Sequence, residues 1–286
     1  MYGQFLALFA SFMWASSSIL YKKALFKFSP SALNTIRPLT ALLFLSVILI
    51  YEEEFLNLFS HSQKTYLLTF LTAIFGLLLG DFFYLSSVKL IGVSRALPIA
   101  SITPLIVALI SHFYLKEIIT LNLILGTLLI LFGIYLITEE NEKQEEMKRG
   151  VVFAFLAALS WAIYVVVSKV ALEEIRPIAF NTIRMFFFSS LMVSHTFFIK
   201  KRRLSSFREK VLLWAVLGAI IDLGIGTVAM FKALRLIEAS KAAPFAATTP
   251  IFATILAIIF TDERITKRIV LGVLSTTLGI ILVIST

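Results

Sequence analysis

The sequence contains no cysteine, so disulfide bonds and thiolate metal sites are excluded, and redox chemistry does not indicate a compartment. Charged residues make up only 15% of the chain, whereas soluble domains usually carry about 25%. The few histidines (His61, His112 and His195) follow no metal-ligand spacing. No glycine-rich phosphate loop occurs, so ATP is not expected to drive the protein. We therefore expect neither a metal nor a cofactor.

Apolar residues, in contrast, make up 59% of the chain, and its mean hydropathy is +0.95. A membrane-spanning helix needs about 20 mostly apolar residues. Ten such runs are present, at about 4–21, 32–51, 66–88, 94–114, 119–138, 150–171, 178–198, 211–233, 240–260 and 267–285. The residues between them suffice only for loops and short tails. We predict an all-α, multi-pass protein of the cell membrane with ten transmembrane helices, embedded in the lipid bilayer and without a soluble catalytic domain.

The net charge of +9 is the one feature that could indicate a nucleic-acid partner. The densest basic run, Lys200–Lys210, falls between two predicted helices. Lysine and arginine in such loops anchor and orient transmembrane helices. We interpret the charge in this way and predict that nucleic acid is not a partner. Monomer and homodimer both remain open.

The chain also contains an internal duplication. Residues 28–39 recur as 175–186, and residues 90–120 recur as 236–266. We predict a first repeat at 1–138, a polar linker at 139–149 and a second repeat at 150–286. Because each repeat holds five predicted helices, an odd number, the second inserts in the opposite direction and the repeats are inverted. Such a duplication in a membrane protein points to a transporter.

Several residues recur at matching positions of the two repeats. In the first they are Trp14, Pro30, Arg37, Pro98, Pro104, Glu117, Gly126 and Gly133, and in the second Trp161, Pro177, Arg184, Pro244, Pro250, Glu263, Gly272 and Gly279. With these residues each half resembles the EamA domain of the drug/metabolite transporter superfamily. The resemblance implies a secondary transporter that works by alternating access and exports a small metabolite such as an amino acid.

Two other function classes stay open on the residues alone, a membrane-embedded enzyme acting on lipid and a passive channel. The enzyme would need a clustered nucleophile or metal set at one membrane face, which the sequence does not show.

Membrane orientation is also open. The resemblance implies cytoplasmic termini, whereas most Lys and Arg residues fall on the side opposite the termini, which by the positive-inside rule would be cytoplasmic.

Four charged residues fall deep within predicted helices. Arg37 and Arg184 share the context NTIR, and either contact an anion or carboxylate in a central path or snorkel to the interface. Asp81 and Asp222 are candidates for proton coupling, or they form structural pairs with Arg37, Arg184 or a backbone donor. Pro38 directly after Arg37 predicts a kink there.

Aromatic and hydroxyl side chains near these charges complete the predicted substrate site, although packing or lipid contact is an alternative for each. The prolines in helices four and nine are expected to interrupt those helices and free carbonyls near the midplane. We expect Glu117 and Glu263 to cap helices or pair loops, and helices five and ten to act as a buttress packed through glycines. The complete candidate set is Trp14, Ser18, Arg37, Asp81, Tyr84, Pro98, Ser101, Trp161, Tyr164, Arg184, Asp222, Pro244 and Thr248.

Overall fold

The computed structural model describes residues 1–25, 28, 30–91, 96, 99–137, 147–195, 209–261 and 266–285. These residues form helices joined by short turns, and no strand occurs among them, which confirms the all-α class. The α-helices are α1 Tyr2–Leu25, α2 Pro30–Tyr51, α3 Gln63–Thr72, α4 Asp81–Ile91, α5 Thr103–Leu115, α6 Leu121–Ile137, α7 Met147–Ala171, α8 Pro177–His195, α9 Glu209–Ala219, α10 Thr227–Leu236, α11 Ala239–Ala246, α12 Thr249–Thr261 and α13 Lys267–Ile284.

Six helical segments of the described chain are long and apolar enough to cross a membrane. They are Tyr2–Ala24, Ala32–Tyr51, Gln63–Ile91, Met147–Ala171, Val211–Leu236 and Lys267–Ile284. Shorter apolar helices occur at Thr103–Leu115 and Leu121–Leu136. The chain is thus a multi-pass membrane protein, and the full number of ten spans stays a prediction.

Two of the long segments contain a stretch of wider π-helix, which the sequence analysis did not anticipate. Ala73–Gly80 joins α3 to α4, and Ile220–Gly226 joins α9 to α10. The two stretches fall at corresponding positions of the two repeats, because Gly76 matches Asp222 and Gly80 matches Gly226. A π-helical turn re-aims the side chains around it and is frequent at functional sites.

Two of the prolines of predicted helices four and nine, Pro104 and Pro250, begin new helices, whereas Pro244 lies inside α11 and Pro98 lies outside the described residues. Pro104 occupies the first turn of α5, and Pro250 the first turn of α12, directly after the end of α11 at Ala246. Proline is tolerated there because the first helical N–H groups have no intrahelical acceptor. Helix α2, in contrast, runs continuously through Pro38, and the kink predicted at Arg37 stays a prediction.

Helices α6 and α13 pack against each other through four glycines, as predicted. A Cβ atom at Gly126 would lie 2.7 Å from the Gly279 carbonyl oxygen, and one at Gly279 would lie 2.5 Å from the Gly126 oxygen. Gly133 approaches the Gly272 oxygen in the same way. In the repeat, Gly126 matches Gly272 and Gly133 matches Gly279. The contact between Gly126 and Gly279 therefore corresponds to the contact between Gly272 and Gly133. Such reciprocal contacts between antiparallel helices are what a two-fold axis across the helix direction produces.

The first helix of each half packs mainly against the other half. Helix α1 lies against α9, α10, α11 and α12, whereas α7 lies against α3, α4 and α5. The main hydrophobic core therefore includes residues of both halves, such as Ala10, Val107, Phe180 and Phe231. A central cavity lies between α1, α7 and the two π-helical segments.

Candidate functional site

The central cavity has a volume of about 420 Å³ and is walled by both halves of the chain. Nine of the residues predicted to bind substrate line it, namely Trp14, Arg37, Asp81, Tyr84, Ser101, Trp161, Tyr164, Arg184 and Asp222. The repeats thus bring together side chains that are far apart in sequence. Helices α6 and α13 contribute nothing to this wall, in keeping with the predicted buttress.

Three predicted residues do not line this cavity, so the structure does not bring them together with the other candidates. Ser18 is exposed, and its hydroxyl donates to the Ala15 carbonyl of its own helix at 2.6 Å. Pro244 is buried within α11. Thr248 is buried and its hydroxyl lies 2.9 Å from the Ser11 hydroxyl, so helix packing already satisfies it. Pro98 lies outside the described residues.

The π-helical segments supply wall residues that the sequence analysis did not place in the site. Gly76 and Leu77 come from the first segment, and Leu223 follows Asp222 in the second. Thr227, the counterpart of Asp81, also faces the cavity. The signal available in the sequence was the alignment of the repeats, which sets Gly76 against Asp222 and Asp81 against Thr227.

Arg37 of the first half is paired with a carboxylate of the second. Its Nη2 atom donates to Asp222 Oδ2 at 2.5 Å, and the Tyr21 hydroxyl donates to the same oxygen at 2.9 Å. The guanidinium carbon also lies 4.4 Å from the centre of the Tyr21 ring. Asp222 was predicted either to carry a coupled proton or to form a structural pair. In the structure it forms an ion pair with Arg37.

Arg184 matches Arg37 in the repeat but has no such partner among the described residues. Only 2% of its surface is exposed, and its guanidinium carbon lies 4.7 Å from the Tyr164 ring centre and 5.6 Å from that of Phe231. Among the residues that the structure describes, no carboxylate oxygen lies within 4.0 Å of it. Its Nε atom makes no hydrogen bond to any described residue. Arg184 is thus a buried cation at the cavity wall, stacked on aromatic rings.

The two matching tryptophans each reach into the opposite half. Trp14 Nε1 donates to Thr227 Oγ1 at 3.4 Å, and Trp161 Nε1 donates to the Gly76 carbonyl oxygen at 3.2 Å. The Tyr84 ring lies 5.4 Å from that of Trp161.

Asp81 interacts electrostatically with Arg37, Asp222 and Arg184, but no ion pair joins it to any described residue. The cavity therefore combines an aromatic wall with one acidic and one basic side chain outside the Arg37–Asp222 pair.

Polar contacts join the halves at the end of the helices that carries both termini. Lys64 Nζ donates to Glu174 Oε1 at 3.1 Å, and Thr65 Oγ1 donates to Glu174 Oε2 at 2.6 Å. Hydrogen bonds from Thr65, Lys64 and Ser62 lower the pKa of Glu174 to about 2. Arg176 pairs with both Glu52 and Glu54.

A second set of contacts at the same end involves Glu117, which is buried. Its carboxylate accepts hydrogen bonds from the backbone N–H groups of Ala239 at 2.8 Å and Ser240 at 2.9 Å, the first residues of α11. A carboxylate there complements the positive helix N-terminus. This confirms the capping and loop-pairing interpretation for Glu117, while Glu263 lies outside the described residues. We call these contacts together the closure cluster, formed by Glu52, Glu54, Lys64, Thr65, Glu117, Glu174, Arg176, Ala239 and Ser240.

The described residues include no group of three or more His, Asp or Glu side chains that could hold a metal ion.

Known proteins with similar sequences are transporters. An uncharacterized transporter of Archaeoglobus fulgidus is 28% identical over 279 residues, which covers 98% of this chain and 96% of that protein. A putative sugar uptake protein of Listeria monocytogenes is 29% identical over 218 residues, or 71% of this chain and 73% of the relative. An uncharacterized transporter of Bacillus subtilis is 27% identical over 179 residues, covering 62% and 61% of the two chains.

The fold also has a counterpart among solved structures. One crystal structure superposes with a TM-score of 0.82 at 16% sequence identity and covers 98% of this chain and 96% of its own. Fold and relatives together define a multi-pass membrane protein of a transporter class. The sequence profile of the EamA-like transporter family matches residues 1–139 and 148–285, and the chain belongs to that family.

Proposed function

We propose that this protein is a secondary transporter that carries a small metabolite, such as an amino acid, between two inverted halves by alternating access. The observation that carries the proposal is the cavity of about 420 Å³ whose charged and aromatic walls come from both halves. Small-ligand sites typically enclose about 300–1,000 Å³, so a single metabolite fits.

The wall chemistry suits a molecule with a polar and an apolar part. Trp14, Tyr84, Trp161 and Tyr164 offer ring faces and edges to the apolar part. Asp81 and Arg184 offer opposite charges to polar groups. Ionisable side chains are costly within the membrane, and those facing a cavity commonly mark a substrate or ion path.

Alternating access requires one end of the cavity to close while the other opens. The closure cluster supports this, because its ion pairs and the Glu117 cap join segments of different halves at one end of the helices. Exposed ion pairs of this kind contribute little each, so they can break and re-form during a transport cycle. We infer that opening at this end breaks the closure cluster.

The driving force is the proton gradient or the substrate's own gradient. Asp222 is held by Arg37 and Tyr21, whereas Asp81 lacks an ion-pair partner among the described residues. Asp81 is therefore our candidate for proton coupling. We take export as the direction of net transport, on the family resemblance alone.

A sugar is the second candidate substrate. The Listeria relatives carry the name putative sugar uptake protein, and aromatic rings such as Trp14 and Trp161 can stack on sugar faces. This alternative would use the aromatic wall without requiring an anion contact at Arg184.

Counterflow in proteoliposomes tests the proposed function. Vesicles loaded with unlabelled amino acids, or in parallel with sugars, are placed in trace labelled compound of the same kind. A carrier accumulates label by exchange, a passive channel shows no trans-stimulation, and a lipid-modifying enzyme yields altered lipid and no exchange. Trp161→Ala should reduce exchange through loss of the cavity wall, while Ser190→Ala, at an exposed hydroxyl of α8, should not. Absence of exchange with every compound would contradict the proposal.

A further inference from the structure

The two arginines of the repeat have unequal surroundings, and the difference lies in one position. Arg37 is paired with Asp222 at 2.5 Å. The residue that matches Asp222 in the first half is Gly76, which has no side chain to offer Arg184. Both Gly76 and Arg184 line the cavity. The ion pair is thus complete at Arg37, whereas no described residue supplies the corresponding acid to Arg184.

Gly76 lies directly beside the unpaired guanidinium. A Cβ atom at this position would be 3.0 Å from Arg184 Nη2 and 3.0 Å from the Tyr164 ring. Both distances are shorter than ordinary van der Waals contact, so an aspartate at this position needs a shift of a few tenths of an ångström by the Arg184 or Tyr164 side chain, and its carboxylate would then adjoin the guanidinium. Only 2% of Arg184 is exposed, and within the described part of the chain its Nε atom has no hydrogen-bond partner. Burial of an arginine without an anion is unfavourable unless an anion arrives from elsewhere.

We infer that a carboxylate of the substrate enters the space beside Gly76 and pairs with Arg184, completing in the second site the ion pair that Asp222 makes in the first. The inference rests on the proposed function and narrows it to carboxylate-bearing substrates. A guanidinium binds the two oxygens of a carboxylate through parallel N–H donors, and this geometry favours arginine over lysine.

A ligand-free comparison tests the geometry first. Gly76→Asp supplies the missing carboxylate, and Gly76→Asn supplies the same shape without charge. We expect a higher midpoint of thermal unfolding for Gly76→Asp than for Gly76→Asn, and no such difference when both are made on an Arg184→Gln background. A lower midpoint for Gly76→Asp would overturn the inference, since Arg184 would then not accept an acid at this position.

A ligand comparison tests the substrate class. The probes are the common L-amino acids, their amides, short mono- and dicarboxylates, inorganic phosphate and neutral sugars, each measured by thermal shift and counterflow on the full chain. We expect carboxylates to bind and the matched amides and phosphate to be at least ~10-fold weaker. Arg184→Gln and Gly76→Asp should remove that preference, Arg184→Lys should recover part of it, and Ser190→Ala should keep it.

The outcomes separate the inference from the proposed function. Counterflow of sugars that persists in Arg184→Gln would overturn the carboxylate site and leave the transporter standing. A preference for phosphate over carboxylates would also overturn the assignment. If no probe exchanges or binds in the wild-type chain, both the inference and the proposed function fail.

Discussion

Arg37 donates to Asp222 at 2.5 Å across the interface between the two halves, although 185 residues separate them in the sequence. Their side chains are 22% and 12% exposed, so the pair is largely withdrawn from solvent. It joins helix α2 of the first half to the π-helical segment of the second. The pair is a structural connection at the edge of the cavity, and the equivalent connection at Arg184 is absent from the described residues.

Replacing Asp222 should therefore destabilise the protein. Asp222→Asn leaves the Arg37 guanidinium buried without its counter-charge, and removing one partner of a buried pair costs about 3 kcal/mol. We expect the midpoint of thermal unfolding to fall by several degrees, measured on detergent-purified protein. The double variant Arg37→Gln with Asp222→Asn should recover part of the loss. A double variant no better than Asp222→Asn would show that the pair is not the source of the effect.

Asp81 should act differently from Asp222. Because no described side chain forms an ion pair with Asp81, Asp81→Asn should leave the unfolding midpoint nearly unchanged. If this carboxylate carries the coupled proton, the variant should lose the dependence of transport on an imposed pH gradient while exchange of labelled substrate continues. Transport by wild-type and Asp81→Asn proteoliposomes with and without the gradient measures this. Equal gradient dependence in both proteins would remove Asp81 from the coupling role.

Glu117 should control opening at the end that carries the termini. Glu117→Ala leaves the N–H groups of Ala239 and Ser240 without their acceptor, and an unsatisfied buried donor costs about 1–3 kcal/mol. We expect more frequent opening there, seen as faster thiol labelling of a single cysteine placed at Ala242. Glu117→Gln keeps one acceptor oxygen and should label at an intermediate rate. A labelling rate unaffected by Glu117→Ala would contradict this role.

The contribution of Glu174 to the closure cluster should not respond to pH near neutrality. Its contacts lower the pKa of Glu174 to about 2, against an ordinary value of 4.5 when the carboxylate returns to water. The contribution of Glu174 is then fully present above pH 4.5 and is lost as the pH falls toward 2. Burial also lowers the pKa of the nearby His61 from 6.5, so this imidazole is mainly neutral above pH 7.

Distances between spin labels on cysteines at Ser60 and Glu173 test the prediction. Their distribution should be the same at pH 8 and pH 7. A shift in this range that Glu174→Gln abolishes would show that the closure cluster titrates after all. With an unchanged distribution, any pH dependence of transport near neutrality must arise elsewhere, and Asp81 in the cavity is the candidate.

The sequence was sufficient to predict the helical class, the duplication and most of the charged and aromatic wall. Long apolar runs and repeated prolines are strong local signals, and Arg and Asp residues within such runs are rare enough to be noticed. Ser18 and Thr248 could not be judged in this way, because a hydroxyl can bond to its own helix as readily as to a substrate. The π-helical turns were missed because they depend on how the backbone packs around Gly76 and Gly80 and not on hydropathy. The unequal pairing of Arg37 and Arg184 became visible only when the contacts across the halves were known.

A reversible cross-link across the closure cluster tests the central claim most directly. The chain has no cysteine of its own, so Lys64→Cys with Glu174→Cys gives one defined pair of thiols across the halves. A short methanethiosulfonate cross-linker holds this end closed and is removed by a reducing agent. Alternating access predicts that counterflow in proteoliposomes stops on cross-linking and returns on reduction, while each single-cysteine variant treated with the same reagent stays active. Counterflow that continues at the full rate in the cross-linked protein would contradict the account.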